Sequence, residues 1–235
     1  MDAPPDIRYS LVIPAYNEEA RIAPLFDQIG EFTGELIVVC DGKDHTPDVV
    51  MRISAARPDL TIRCLTFSRR LGKGGGVIEG IKAARGEFVG YFDADGSTGI
   101  GEMMMLFKQL SVYDGAIGSR WVRGAVLNVK QGVLRQLESR VFNLIIRLLF
   151  GLRYHDTQCG AKVFRRHAVG SVLPRMVSTG FEFDVELLWR LQRGGYVVGE
   201  FPIQWQNTGD SRVRRRDMIG MVAGLIRVRF CPERP

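Results

Sequence analysis

The first 120 residues alternate short, unbroken apolar runs with amphipathic stretches, and most of the apolar runs stop at a polar or acidic residue. Tyr9 to Ala15, Glu35 to Cys40, Thr61 to Phe67, Glu87 to Phe92 and the short Gly115 to Gly118 read as strands. Glu18 to Phe32, Pro47 to Ala56, Gly74 to Ala84 and Glu102 to Leu110 read as helices, the first with Ile22, Leu25, Phe26 and Ile29 on one face. Gly86 stands just past the third helix, where a C-cap belongs. Strands that are apolar throughout must be covered on both faces. The pattern therefore predicts an α/β fold, a mostly parallel central sheet with helices on both sides. Ligands of such sheets gather at the carboxyl ends of the strands. The polar groups stand there: Tyr16-Asn17-Glu18 after the first strand, Asp41 after the second, Asp93-Ala94-Asp95-Gly96 after the fourth.

The second half is organised differently. Val126 to Phe150 carries a helical stripe at Val126, Val129, Val133, Leu137, Val141, Leu144 and Leu148. His155 to Phe164 is a polar turn feeding a short strand, and Phe183 to Gln192 is a helix ended by Gly194-Gly195. Val197 to Trp205 reads as a last strand, and Asp217 to Arg229 as a helix with Met218, Met221, Val222 and Leu225 on one face. No linker divides the chain, so residues 1–235 are expected to form one domain with a 6–120 half and a 121–235 half.

Charge separates the segments further. Residues 1–119 sum to −5, residues 120–153 to +6 and residues 212–235 to +5. Such basic segments suit phosphates or anionic lipid, or are simply solvated. A hydrophobic fraction of 46% with 25% charged residues excludes a disordered or fibrous chain. The four cysteines form no C-x-x-C pair, which argues against a zinc ribbon and for a reducing compartment. The acidic, Pro-rich stretch of residues 1–6 lacks the basic residues and apolar run of a secretory signal, so none is expected there. The apolar stretch from Val141 to Leu152 is broken by Asn143 and Arg147 and falls short of the roughly 20 residues a span needs. The expectation is a cytoplasmic protein without a transmembrane helix.

Two motifs point to chemistry. Asp93-Ala94-Asp95 offers two carboxylates at a strand end, able to share one Mg²⁺ or Mn²⁺ with nucleotide phosphates; a loop of solvated acids is the alternative. Gly72-Lys73-Gly74-Gly75-Gly76 opens a helix but matches neither G-x-x-x-x-G-K-[ST] nor G-x-G-x-x-G, so tight helix packing is preferred to phosphate binding. No RNP, zinc-finger or helix-turn-helix signal accompanies the basic run from Arg212 to Arg216, which leaves a nucleic-acid-binding module as a remote reading.

Taken in order, Ile13-Pro14-Ala15-Tyr16-Asn17-Glu18-Glu19, Val38-Val39-Cys40-Asp41-Gly42, the Gly72–Gly76 run and Asp93-Ala94-Asp95-Gly96 resemble the family 2 glycosyltransferases. Gly118-Ser119-Arg120, Asp156-Thr157-Gln158-Cys159-Gly160-Ala161-Lys162 and Phe181-Glu182-Phe183-Asp184-Val185-Glu186 are similar to the branch that acts on polyprenyl phosphates, the dolichyl-phosphate glucosyltransferases and mannose synthases. The resemblance covers roughly residues 9–216 and implies the GT-A nucleotide-diphosphosugar fold, with a nucleotide-sugar-binding half and an acceptor and membrane-interface half.

By that resemblance Pro14, Tyr16, Glu18 and Asp41 line the nucleoside pocket. Asp93, Ala94 and Asp95 meet the diphosphate, and Asp93 and Asp95 hold Mg²⁺ or Mn²⁺. Ser97 stands where the mannose synthases usually place Gln as a further metal-site ligand. Arg120 sits beside sugar and phosphates, and Arg212, Arg214 and Arg215 fall where the family closes a basic loop over the donor. Asp184 and Glu186 are the acids near the acceptor, as base, as orienting group, or as carboxylates complementing a helix dipole. The implied reaction is inverting transfer of a hexose to a polyprenyl or dolichyl phosphate. UDP-glucose is the favoured donor, because Asp-Gly-Ser and Asp-Thr-Gln-Cys-Gly follow the glucosyltransferase pattern. GDP-mannose, UDP-N-acetylglucosamine and a saccharide or protein hydroxyl acceptor stay open. The basic segments Val126–Phe150 and Asp217–Arg229 then suit a peripheral position on the cytosolic membrane face, or pack on the sheet as ordinary helices. Arg140 and Arg147 share a face in the first segment; Lys130 and Arg135 do not.

Overall fold

The structure, a computed structural model, describes residues 7–127, 143–206 and 215–230, the side chains of 215–219 excepted. In chain order the elements are β1 Tyr9–Ala15, α1 Ile22–Asp27, β2 Glu35–Cys40, α2 Thr46–Ala56, β3 Thr61–Thr66, α3 Lys73–Ala83, β4 Phe88–Tyr91, α4 Ile100–Gln109, β5 Gly115–Ser119 and β6 Val126–Leu127. They continue with α5 over residues 143–150, β7 Lys162–Arg165, α6 Arg166–Val172, a 3₁₀ turn Leu173–Arg175, α7 Phe183–Arg193, β8 Val198–Pro202, β9 Gln204–Trp205 and α8 Arg215–Phe230.

A seven-stranded sheet runs β3-β2-β1-β4-β7-β5-β8. The strands are parallel except β7, which pairs antiparallel with β4 on one side and β5 on the other. The unbroken apolar runs have the expected cause. On one face Val12, Ile37, Val39, Val89 and Tyr91 pack with residues of α3, α6, α7 and α8. On the other, Leu11, Ile13, Leu36, Val38 and Phe88 pack with α1, α2 and α4. Successive strand residues point to opposite faces, so a sheet covered twice needs apolar residues at both parities.

Several boundaries differ from the sequence expectation. The first helix is confined to Ile22–Asp27, because residues 18–22 are spent on a turn in which the Arg21 and Ile22 N–H groups donate to the Glu18 carbonyl. Gly86 caps nothing: its N–H donates to Ser10 Oγ at 2.8 Å, and a Cβ there would meet the β1 backbone at 2.9 Å. Val126–Leu127 is a strand, not the start of a helix, and pairs with Gln204–Trp205 in a second, two-stranded sheet. The expected last strand is accordingly two strands: β8 belongs to the main sheet, and β9, past buried Ile203, belongs to the small one. Residues 128–142, with Lys130, Arg135 and Arg140, lie outside the described residues.

Candidate active site

The antiparallel β7 has a consequence for the ligand edge. Parallel strands β1, β2, β4 and β5 bring their carboxyl ends to it, and β7 brings its amino end. Residues 156–162 therefore stand beside Asp93 and Arg120, although far from both in sequence.

At the nucleoside end, Pro14 and Tyr16 are half-buried and Glu18 and Asp41 are buried. Asn17 takes a left-handed φ of 53°, and its Oδ1 accepts the Lys43 N–H at 2.9 Å. Glu18 is held by Arg21 through two bonds of 2.7 and 2.9 Å, and its N–H donates to Thr46 Oγ1. Asp41 Oδ2 accepts the N–H groups of Leu71 at 2.7 Å and Gly72 at 3.2 Å, tying the end of β2 to the loop that opens α3. The Arg70 guanidinium lies 3.8 Å above the Tyr16 ring.

The glycine run is a packing device. Gly72 has φ +79°, and a Cβ there would lie 2.4 Å from the Thr179 carbonyl oxygen; one on Gly74 would lie 2.4 Å from Phe183 Cβ. The start of α3 is thus pressed against the loop and helix around residues 179–183. Lys73, between these glycines, turns its ammonium to 2.9 Å from Asp93 Oδ1 and 3.7 Å from Asp184 Oδ2. Burial pulls the Lys73 ammonium down, but Asp93 and Asp184 outweigh it and hold its pKa above the ordinary lysine value.

Asp93 and Asp95 are half-buried, with Ala94 and Ser97 buried around them. Asp95 Oδ1 accepts the Ser97 N–H at 2.9 Å, which orients the carboxylate. Gly160 lies against Asp93 so closely that a Cβ on it would stand 2.0 Å from Asp93 Oδ2. The donor set fits a hard divalent cation: two carboxylates at one strand end, one of them held by a backbone N–H, are what Mg²⁺ or Mn²⁺ needs when phosphates and water complete the shell. Among the described residues no group of three or more acidic, His or Cys side chains gathers to hold a metal.

Arg120 is fixed by Asp156, with Nε to Oδ2 at 2.7 Å, Nη2 to Oδ1 at 3.0 Å and the Arg120 N–H to Oδ2 at 3.1 Å. Burial alone would lower the Arg120 pKa; Asp156 reverses that and raises it. Trp205 of β9 lies with its ring 5.5 Å from the guanidinium carbon. The Gln206 N–H donates to the Ser97 carbonyl, so the small sheet is latched to the acidic loop.

The two acids of α7 face inward. Asp184 Oδ1 accepts from Lys162 Nζ at 2.6 Å and Tyr91 Oη at 2.5 Å. Burial pushes its pKa up, but Lys162 and Lys73 hold it below the ordinary carboxylate value. Glu186, fully buried, accepts the Val177 and Ser178 N–H groups and Arg190 Nε, clasping the loop whose Thr179 carbonyl takes the Gly75 N–H. Arg212 and Arg214 lie outside the described residues, as does the side chain of Arg215.

Lys73, Asp156 and Lys162 carry no individual role in the sequence motifs that contain them, and Tyr91 reads only as part of a strand. The legible signal was Lys162 itself, a lysine directly followed by Val163-Phe164, where a strand buried on both faces requires the charge to have a partner.

Residues 10–173 match the model of Glycosyl transferase family 2. The chain belongs to that family. It is a glycosyltransferase, and its fold is GT-A. It is 34% identical over 233 residues to Glycosyltransferase AglD of Haloferax volcanii, covering 94% of this chain and 37% of AglD. It is 32% identical to Dolichyl-phosphate beta-glucosyltransferase ALG5C of Trichomonas vaginalis, covering 96% of this chain and 72% of that protein. It is 30% identical to the Dolichyl-phosphate beta-glucosyltransferase of Saccharomyces cerevisiae, covering 96% and 75%. Glucosyl-3-phosphoglycerate synthase from Mycobacterium tuberculosis, solved with Mg²⁺ and UDP, superposes with a TM-score of 0.67 at 19% identity over 96% of this chain and 80% of that one. The mannosyltransferase PcManGT from Pyrobaculum calidifontis, solved with GDP-Man and Mn²⁺, gives 0.62 at 19% identity over 94% and 64%. At that identity the structures speak for the fold.

Proposed function

We propose that this family 2 glycosyltransferase moves glucose from UDP-glucose to a polyprenyl or dolichyl phosphate, inverting the anomeric carbon in one displacement, with Mg²⁺ or Mn²⁺ beside the diphosphate. One observation carries the choice of acceptor: Asp184 and Glu186 are both wrapped in internal donors rather than turned to the ligand edge. A hydroxyl acceptor needs a base to take its proton. A lipid phosphate is already anionic at neutral pH and does not. The named relatives, dolichyl-phosphate glucosyltransferases, support the same acceptor.

Asp95, with Asp93 and the neighbourhood of Ser97, would hold the cation. Bound there, it neutralises charge growing on the departing diphosphate. The remaining work falls to the chain itself. Tyr16, Pro14, Glu18 and Asp41 frame the nucleoside, and Asp41 keeps the loop at 71–72 in place beneath it. Arg120, held in a fixed orientation by Asp156, faces sugar and phosphate. Arg212 and Arg214 belong to this reading by resemblance. The decisive assay incubates labelled UDP-glucose, GDP-mannose or UDP-N-acetylglucosamine with dolichyl phosphate and extracts the lipid. Label from UDP-glucose in the organic phase, abolished by chelator, supports the proposal. Label from GDP-mannose alone, or transfer to sugar or protein hydroxyls instead, overturns it.

The acceptor's tail stays in lipid, so the enzyme must work at a membrane surface. No helix among the described residues is long and apolar enough to cross one. Leu144 and Leu148 of α5 and Ile226 and Phe230 of α8 are exposed, and Arg147, Arg227 and Arg229 are exposed with them. Arg229 Nε donates to the Leu149 carbonyl, so the two helices are neighbours. Apolar side chains interleaved with arginines fit an anionic bilayer surface.

A further inference from the structure

Lys73 meets two carboxylates that differ in every respect that matters to a cation. Asp93 lies at the ligand edge with 32% of its side chain exposed; Asp184 is sealed inside at 2%. The hydrogen bond of Lys73 is to Asp93 at 2.9 Å, and Asp184 Oδ2 waits at 3.7 Å. Asp184 receives Lys162 and Tyr91 on its other oxygen, Oδ1, and Oδ2 is left facing Lys73. The ammonium can pass from one acid to the other by moving less than an ångström at the end of a flexible four-carbon stem.

We propose that Lys73 is a counterion that changes partner: it neutralises Asp93 while no metal is bound, and passes to Asp184 when Asp93 turns to the cation and diphosphate. Tyr91 and Lys162 set how strongly Asp184 draws it. This rests on the metal reading above. A divalent ion repels the ammonium next to it, and a largely buried lysine needs a counter-charge wherever it goes. Asp184 supplies that charge without leaving its place. It is a positioning residue: it acts on the ligand edge through Lys73.

The test is the binding of Mn²⁺ to UDP-saturated protein, followed by calorimetry without acceptor or turnover. Tyr91→Phe removes one donor from Asp184 without changing any charge. The under-bonded carboxylate draws Lys73 away from Asp93, and the Mn²⁺ dissociation constant falls about threefold. Asp184→Asn removes the second partner, fixes Lys73 on Asp93 and raises it about tenfold. In a Lys73→Met background the Tyr91→Phe effect disappears, because its carrier is gone. Should Asp184→Asn fail to fold, the Tyr91→Phe and Lys73→Met cycle decides alone. Weaker binding in Tyr91→Phe, or an effect of that substitution unchanged without Lys73, overturns the partner exchange while the metal site stands. If the unaltered protein binds no Mn²⁺ with UDP present, the metal reading falls and the exchange with it.

Discussion

Replacing Gly160 by alanine measures how closely the loop before β7 is fitted to the acidic edge. The added Cβ falls 2.0 Å from Asp93 Oδ2 and 2.4 Å from its Cγ. Gly160 is not among the glycines with positive φ, so the backbone accepts alanine and the conflict falls on the carboxylate. Ordinary contact begins at 3.4 Å, so that carboxylate must retreat by about 1.4 Å. Such a retreat breaks the 2.9 Å bond to Lys73. Its cost in stability is small. Because Asp184 Oδ2, 3.7 Å away, stays beside the ammonium, losing the contact with partly exposed Asp93 costs about 0.2–1 kcal/mol, and alanine returns about 0.4–1 kcal/mol by restricting the unfolded chain. The melting temperature is therefore expected within about 4 °C of the parent. Activity is a different matter, since a misplacement of about 1 Å at reacting groups can cost on the order of 100-fold. Thermal melts and kcat/KM for glucosyl transfer, measured together, check the separation. Activity within threefold of the parent at unchanged Tm would refute the view that Gly160 exists to leave room for Asp93. A large drop in Tm would place the strain in the backbone instead.

Asp95→Asn deletes a charge but keeps the shape; it should remove most activity and the response to Mn²⁺ while circular dichroism stays unchanged, and full activity in excess chelator would end the metal reading. Arg120→Met leaves Asp156 buried and unpaired, which should destabilise by about 3–5 kcal/mol in urea melts, with much of that recovered by adding Asp156→Leu; a loss below about 1 kcal/mol would mean the pair is not closed in solution. Glu35 is pushed up by burial, but Ser10, Arg63 and the Arg85 N–H together hold it below its ordinary value. Its contribution is thus present above the unfolded value and lost as pH falls through the folded one. The stability gap between the parent and Glu35→Gln should shrink from pH 7 towards pH 3; a constant gap would contradict the shift. Arg147→Glu should weaken binding to anionic vesicles and lipid-acceptor turnover together while UDP-glucose binding survives; unchanged binding, also in 0.5 M salt, would count against docking through α5.

What the sequence made legible follows from the range of the interactions involved. β1, β2 and β4 were readable to within about a residue because burial on both faces writes itself into every position. Val126–Leu127 was misread because two apolar residues followed by others at helical spacing look like a helix; only the pairing with Gln204–Trp205, almost 80 residues on, makes them a strand. The end of β8 was hidden for a similar reason, since Val197 to Trp205 is one apolar stretch and the hand-off between sheets at Ile203 leaves no breaker beyond Pro202. At the site, the acids and Arg120 could be picked out by their positions after strands. Their partners could not. The roles of Lys73, Tyr91 and Lys162 depend on Asp184, which arrives from a helix over 20 to over 110 residues away.

β7 also limits how sequences of this kind can be recombined. Its residues Lys162–Arg165 are threaded between β4 and β5, pairing Phe88 with Arg165 and Gly115 with Phe164. A chimera cut near residue 120 would bring β7 from one parent and both of its sheet neighbours, β4 and β5, from the other. Donor preference therefore cannot be grafted by exchanging the first half as a cassette. An exchange that respects the threading carries β4, β5 and residues 156–165 together, and with them Asp93, Arg120 and the loop that holds each in place.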